Sequence, residues 1–257
     1  NEGWKTWRVE NGKLRVESEK TVNIPHNWDD YYGYRQLTHG NLHGTVLYKK
    51  DFTLNNSQFS TLNSQLKKYF LRFEGVGTYA TITVNGKDFG RHPIGRTTLT
   101  LDVTDELKQG VNSLEVKAEH PEMIADMPWV CGGCSSEWGF SEGSQPLGIF
   151  RPVVLEVTDE IRIEPFGVHI WNDEKAANVS VETEVKNYSK TTETVELVNK
   201  LSNADGKQVF RLVEKVTLAP GEMKVIRQQA PVENPVLWNT ENPYLYKLAS
   251  MIKRDTK

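Results

Sequence analysis

The chain has 257 residues, enough for one large domain or two of medium size, and 37% of them are hydrophobic. Its 31 basic and 34 acidic residues give a net charge of -3 without any basic stretch, which argues against a nucleic-acid partner. No apolar run approaches the roughly 20 residues that a membrane span requires, so no membrane partner is expected.

Apolar and polar residues alternate through the first half of the chain, as they do in half-buried antiparallel strands. Asn85-Gly86 lies between two such runs and is the strongest short-range signal for a β-hairpin. Thr104–Gln109 has helical spacing, but it is long enough for one turn only. The predicted strands lie around residues 46–54, 80–84, 99–103, 114–118 and 153–157.

The amino-acid composition and the periodicity of the sequence change near residues 158–160. Before this point the chain is rich in Gly, Trp and His and has long loops, whereas after it short alternating runs such as Val179–Val185 dominate. About seven short strands in roughly 95 residues is the size of an immunoglobulin-like sandwich. The sequence therefore predicts an all-β protein with two domains, residues 1–158 and 159–257.

Short motifs follow one another in a characteristic order along the first domain. The second domain closes with Asn234–Leu248, which contains Asn-Pro twice, Leu-Trp and Tyr-Leu-Tyr. In order and spacing, the whole set resembles the front part of glycoside hydrolase family 2. The motifs of the first domain are Ile24-Pro25-His26-Asn27-Trp28, Gly44–Phe52, Leu71–Val76, Asn85-Gly86-Lys87, Asp102–Leu107, Gly110–Val116 and Gly148-Ile149-Phe150-Arg151.

The resemblance implies a jelly-roll-like, galactose-binding-type β-sandwich followed by an immunoglobulin-like β-sandwich. In the family a catalytic TIM barrel comes next, and in retaining glycosidases its two carboxyl groups lie about 5–5.5 Å apart. The chain does not contain that barrel, so by itself it is expected to lack catalytic residues and not to hydrolyse glycosides. The parent enzyme is expected to be a retaining, β-galactosidase-like glycosidase acting on a carbohydrate substrate, with the barrel of the same chain as partner.

The segment from Ala118 to Gly148 has almost no periodicity, although it connects two predicted strands. A structureless connection of about 30 residues in a compact domain is usually functional. In the family this loop helps to line the sugar pocket, and Glu142 holds the position of an Asp that contacts substrate and ion in bacterial β-galactosidases. An exposed loop carboxylate is the alternative for Glu142.

Four further residues of this segment are candidate contacts of the sugar. Trp129, Trp138 and Phe140 are expected to stack on a sugar or to dock on the barrel. His120, directly after a strand, is a candidate substrate contact, with a structural hydrogen bond as the alternative.

Cys131-Gly132-Gly133-Cys134 lies in the same loop. A zinc site would need two further ligands, and a thioredoxin-like redox motif would need a βαβ pattern. A local disulfide in an oxidising compartment remains, with free thiols as the alternative. His39 and His43 have the spacing of metal ligands on a helix, but Gly40 and Gly44 interrupt it, so no metal and no cofactor is expected.

Two other functions remain open at the level of sequence. The chain could be a free-standing carbohydrate-binding module, which needs a complete sugar site within one sandwich, or an immunoglobulin-type interaction protein without any sugar site. Homo-oligomer formation is also left open. A bacterial periplasmic or secreted location is expected.

Overall fold

The computed structural model describes residues 1–29, 42–55, 67–121, 146–173 and 177–254. The chain divides into two compact units, residues 1–157 and 158–257. Apart from one 3₁₀ turn at Val16–Ser18, every regular element in the described ranges is a β-strand. None of these ranges contains a helix that is long and apolar enough to cross a membrane.

Unit 1 contains two β-sheets. The larger sheet has the strand order β2-β1-β4-β9-β6-β7, with β3 also paired to β1, and the smaller sheet has the order β10-β5-β8. The strands are β1 (Trp4–Glu10), β2 (Lys13–Leu14), β3 (Lys20–Val22), β4 (Gly44–Leu54), β5 (Lys67–Phe73), β6 (Val76–Val84), β7 (Lys87–Gly95), β8 (Leu99–Asp102), β9 (Gly110–His120) and β10 (Val153–Asp159).

The core of unit 1 is built from the alternating apolar positions of these strands. Val46 and Tyr48 on β4 and Val116 on β9 are fully buried, and they share one hydrophobic cluster with Leu71 and Phe73 on β5 of the smaller sheet. Burying one such side chain contributes about 1.5–3 kcal/mol, so the predicted period-2 pattern is the main source of stability here. The strand predictions for this half of the chain are confirmed.

The Asn85-Gly86 hairpin connects β6 to β7 as predicted, with Val84 paired to Lys87. Asn85 and Gly86 both have positive φ values, 49° and 86°, as a two-residue type I′ turn requires. The residues that follow Asp102 form hydrogen-bonded turns and no regular helix, because the segment is too short to propagate one. Asp102 Oδ1 accepts the Thr104 backbone N–H at 3.0 Å, a local capping contact that agrees with a structural role for this carboxylate.

Asn112 joins this hairpin to the start of β9. Its amide nitrogen donates to the carbonyl oxygens of Lys108 and Gly110, at 2.7 and 3.0 Å. Its amide oxygen accepts from the Lys108 backbone N–H at 2.9 Å and from the Asn85 amide at 2.8 Å. Asn112 itself is fully buried, and these four bonds satisfy its amide, so the family motifs around Asn85 and Asn112 have a structural explanation.

Replacing Asn112 with Ala is expected to lower the free energy of unfolding of unit 1 by about 3 kcal/mol, because four hydrogen bonds of one buried side chain are lost at once. Chemical denaturation followed by tryptophan fluorescence measures this loss. Val111→Ala is the matched control, since Val111 is 60% exposed and its truncation should change stability by about 0.5 kcal/mol or less. Equal losses in the two variants would contradict the structural role of Asn112.

Unit 2 also consists of two sheets, with strand orders β11-β12-β15 and β14-β13-β16. Its core contains Val185, Leu197 and Ile226, one from each of three different strands. This arrangement confirms the prediction of a second β-sandwich. The strands are β11 (Ile161–Asp173), β12 (Asn178–Asn187), β13 (Glu193–Ser202), β14 (Gln208–Leu218), β15 (Met223–Pro231) and β16 (Lys247–Lys253).

A buried asparagine joins the two sheets of unit 2. The amide nitrogen of Asn199 on β13 donates to Thr183 Oγ1 on β12 at 3.2 Å and to Gln228 Oε1 on β15 at 2.9 Å. Its amide oxygen accepts from Ser250 Oγ on β16 at 2.5 Å. A buried amide is costly unless it is hydrogen-bonded. This network therefore favours the packing of the two sheets in which Asn199 can reach all of its partners.

Candidate functional site

Two of the sequence motifs pair with each other at one place in unit 1. The backbone N–H of His26 donates to the carbonyl oxygen of Ile149 at 2.7 Å, and that of Trp28 donates to Leu147 at 2.9 Å. The backbone N–H of Leu147 in turn donates to Asn27 Oδ1 at 2.9 Å. The Ile-Pro-His-Asn-Trp segment therefore lies beside the Gly-Ile-Phe-Arg segment as an extended pair.

A third motif, the one on β4, reaches the same place through Tyr48. The hydroxyl of Tyr48 lies 2.7 Å from Nδ1 of His26, and burial raises the pKa of this phenol well above its usual range. Gly148 has φ = +146°, and a Cβ atom there would overlap the Tyr48 hydroxyl and lie 2.7 Å from the carbonyl oxygen of His26. Glycine is therefore required at position 148 by both its backbone conformation and its neighbours.

The residues that flank two of the long connections of unit 1, segments 30–41 and 122–145, are hydrogen-bonded to each other. Nδ1 of His43 lies 3.0 Å from the carbonyl oxygen of Pro121, and Nδ1 of His120 lies 2.9 Å from the carbonyl oxygen of Leu42. The pairing of Gly44 with His120 between β4 and β9 creates this arrangement. Leu42 and Pro121, the described residues next to segments 30–41 and 122–145, thus lie within one small region of the sandwich.

His120 is fully buried, and its ring centroid lies 4.7 Å from that of His43. Burial lowers the pKa of His120 to about 4, and the nearby His43 adds to the effect, whereas the Leu42 carbonyl and the charge of Asp29 oppose it. The imidazole is therefore neutral at pH 7. Within the described part of the chain, Nε2 of His120 has no hydrogen-bond partner.

Among the predicted site residues, only His120 lies within the described ranges. It makes the structural hydrogen bond weighed as its alternative, and it also keeps one nitrogen unpaired. His43 bonds to Pro121, and His39 lies outside the described residues. Across residues 1–29, 42–55, 67–121, 146–173 and 177–254, no three His, Cys, Asp or Glu side chains are grouped to hold a metal ion. Trp129, Trp138, Phe140, Glu142, Cys131 and Cys134 also lie outside the described residues and stay predictions.

Sequence reasoning did not identify the polar cluster of His26, Asn27 and Tyr48. These residues appeared as parts of motifs, but nothing local indicated that they meet. The available signal was the occurrence of all three motifs in one predicted domain.

The chain is a protein of two consecutive β-sandwich domains, and the first of them brings its sequence motifs together at one place. Comparison with known proteins identifies the family to which it belongs. The family model described as "Glycosyl hydrolases family 2" matches residues 161–257, and the "Glycosyl hydrolase 2 galactose-binding domain-like" model matches residues 28–127. The chain belongs to glycosyl hydrolase family 2. The resemblance drawn from the motifs and the predicted fold class are confirmed.

Curated relatives include a β-glucuronidase of Formosa agariphila, 28% identical over 93% of this chain and 25% of its own length. A β-galactosidase of Bacteroides ovatus is 26% identical over 92% of this chain and 26% of its own. The crystal structure of a Bacteroides uniformis β-glucuronidase superposes with a TM-score of 0.79 at 24% identity, over 99% of this chain and 30% of that one, which shows the shared fold. The chain thus spans about a quarter of the length of these two curated relatives.

Proposed function

We propose that this chain provides two non-catalytic β-sandwich domains to a retaining β-glycosidase of family 2. The observation that carries the proposal is the region where β4 and β9 pair, at which the flanking residues of both long connections are hydrogen-bonded to each other. A fold that gathers two long connections in one region can present them together to a ligand or to another domain. Catalysis itself is assigned to a barrel domain of the same protein.

The substrate of the whole protein is proposed to be a β-galactoside or a related β-glycoside. The Gly148-Ile149-Phe150-Arg151 segment favours a β-galactosidase, and relatives named β-galactosidase and β-glucuronidase support a β-linked sugar. Within the loop, Glu142, Trp138, Trp129 and Phe140 are proposed contacts of the sugar or of the barrel. A periplasmic or secreted location is proposed on the family resemblance alone.

The proposal is tested by assaying the protein encoded by the complete gene against p-nitrophenyl β-galactoside, β-glucuronide, β-glucoside and β-mannoside. We expect turnover of at least one substrate, with β-galactoside hydrolysed fastest and the anomeric configuration retained, as proton NMR of the first-formed product would show. The 257-residue chain, assayed in parallel, is expected to release no nitrophenol. Turnover by that chain alone, or no turnover of any substrate by the complete protein, would contradict the proposal.

A further inference from the structure

The dipeptide Asn-Gly occurs twice in the sequence, as Asn11-Gly12 and as Asn85-Gly86, and each copy is the two-residue turn of a β-hairpin. The φ values of Asn11 and Gly12, 50° and 73°, resemble those of the second turn and fit the same type I′ geometry. Because the dipeptide and the turn are the same, a difference in reactivity between the two asparagines has to come from their surroundings.

The side chain of Asn85 is held in place by three hydrogen bonds. Its amide nitrogen donates to the carbonyl oxygen of Glu106 at 2.7 Å and to Asn112 Oδ1 at 2.8 Å. Its amide oxygen accepts from the Ser113 backbone N–H at 2.9 Å. The strands that this turn connects, β6 and β7, have nine residues each, so the hairpin opens only when many contacts break.

The side chain of Asn11 is exposed and makes no hydrogen bond to any residue that the structure describes. Its hairpin is also short, because β2 consists of Lys13 and Leu14 alone, and both are exposed. An ion pair between Arg15 and Glu10, at 2.7 Å, lies beside the turn, but exposed pairs contribute little to stability. Local opening of such a segment costs little free energy.

We propose that Asn11 is a site of spontaneous deamidation, and that the fold protects Asn85 from the same reaction. When the turn opens, the backbone nitrogen of Gly12 attacks Cγ of Asn11 and closes a succinimide ring. The bond from Cγ to the side-chain nitrogen breaks, and ammonia leaves with the proton of the Gly12 amide. Glycine has no Cβ atom to obstruct the attack. Water then opens the ring at either carbonyl, which leaves an aspartate or an isoaspartate and adds one negative charge to the formal net charge of -3.

The isoaspartate product lengthens the main chain by one methylene group at position 11. A two-residue turn sets the register in which Glu10 pairs with Lys13 and Val9 pairs with Leu14. The longer turn does not fit this register, so β2 detaches, whereas β1 keeps its pairing with β4. The modification therefore loosens one edge of the larger sheet without unfolding unit 1.

The test is incubation of the folded 257-residue chain in mildly alkaline buffer made with ¹⁸O-enriched water, followed by tryptic digestion in ordinary water and mass spectrometry. Incorporated ¹⁸O marks each asparagine that was converted during the incubation. The peptides Val9–Lys13 and Phe73–Lys87 each contain one of the two dipeptides. Deamidation in the first peptide is expected to be at least about tenfold faster, because opening at Asn85 breaks three more hydrogen bonds.

The chain unfolded in guanidinium chloride is the control, since both dipeptides are then exposed and should react at similar rates. Asn11→Gln is a second control, because glutamine closes the larger ring slowly, and the label in Val9–Lys13 should disappear. Equal rates at the two sites in the folded chain, an unreactive Asn11, or a label that persists in Asn11→Gln would each overturn the proposal.

The structural consequence is measured on the isoaspartate form after its separation by ion-exchange and reversed-phase chromatography. Amide hydrogen exchange is expected to be faster in residues 9–14 and unchanged in residues 83–88, which contain the second hairpin turn. Exchange in residues 9–14 that equals that of the unmodified chain would show that β2 stays paired and would overturn the proposed loosening.

Discussion

Gly148→Ala is expected to lower the free energy of unfolding of unit 1 by about 4 kcal/mol, enough to unfold a marginal domain. The new Cβ would overlap the buried Tyr48 hydroxyl and press on the His26 carbonyl oxygen, 2.7 Å away. The backbone would also keep a φ of +146°, which side chains other than glycine rarely adopt. Urea denaturation monitored by near-UV circular dichroism measures the loss.

Two further variants separate the contributions of strain and overlap. Gly110→Ala carries only the strain, since Gly110 has φ = +88° and its new Cβ would have no neighbouring atom within 4 Å, and it should cost about 1–2 kcal/mol. In the double variant Gly148→Ala/Tyr48→Phe, removal of the hydroxyl should restore part of the loss, as a double-mutant cycle would detect. A Gly148→Ala loss no larger than that of Gly110→Ala would show that the cluster is not closely packed.

Acidification from pH 6.5 to pH 4 is expected to destabilise unit 1 through His120 by about 3 kcal/mol. The unfolded imidazole has an ordinary pKa near 6.5, and burial lowers the folded pKa of His120 to about 4. Between these values the unfolded chain binds a proton that the folded chain does not, so stability falls as the pH falls. Well above pH 6.5 both states are neutral, and His120 contributes no pH dependence there.

Carboxylates also titrate in this range, so the measured quantity is the difference between the wild type and His120→Asn. The variant has no ionisable group at position 120 and can still donate to the Leu42 carbonyl. Denaturation curves at half-unit intervals from pH 4 to pH 7.5 should show a steeper fall for the wild type. Parallel curves for the two proteins would mean that His120 titrates normally and is not enclosed as the structure describes.

Most of the secondary structure of this protein is determined by residues that are close together in the sequence. Val46 and Tyr48, or Ala80 and Ile82, alternate with polar neighbours because a strand turns successive side chains to opposite faces. Asn85-Gly86 specifies its hairpin because a type I′ turn needs positive φ at both positions. The same local reasoning predicted one helical turn after Asp102. The structure has hydrogen-bonded turns there and no regular helix, because the segment is too short to propagate one.

The candidate site is different, because its residues are far apart in the chain. The long connection after Ala118 was recognised from its lack of periodicity, and His120 was singled out beside it. Its partner His43 was considered only with His39, as a helical metal pair, since spacing along the chain is all that a sequence displays. The His43–Pro121 and His120–Leu42 bonds exist because β4 and β9 pair in a register that sets Gly44 opposite His120.

By itself, the sequence determined the family, the all-β character, the strands and the hairpin turn at Asn85-Gly86. Each of these depends on neighbouring residues or on the order of short motifs. Only the tertiary structure decided that Gly148 must be a glycine, that Asn112 is structural, and that His120 is buried and neutral. These properties depend on burial and on contacts between distant strands, and the free energy of a buried polar or crowded atom is set by whatever the fold places around it.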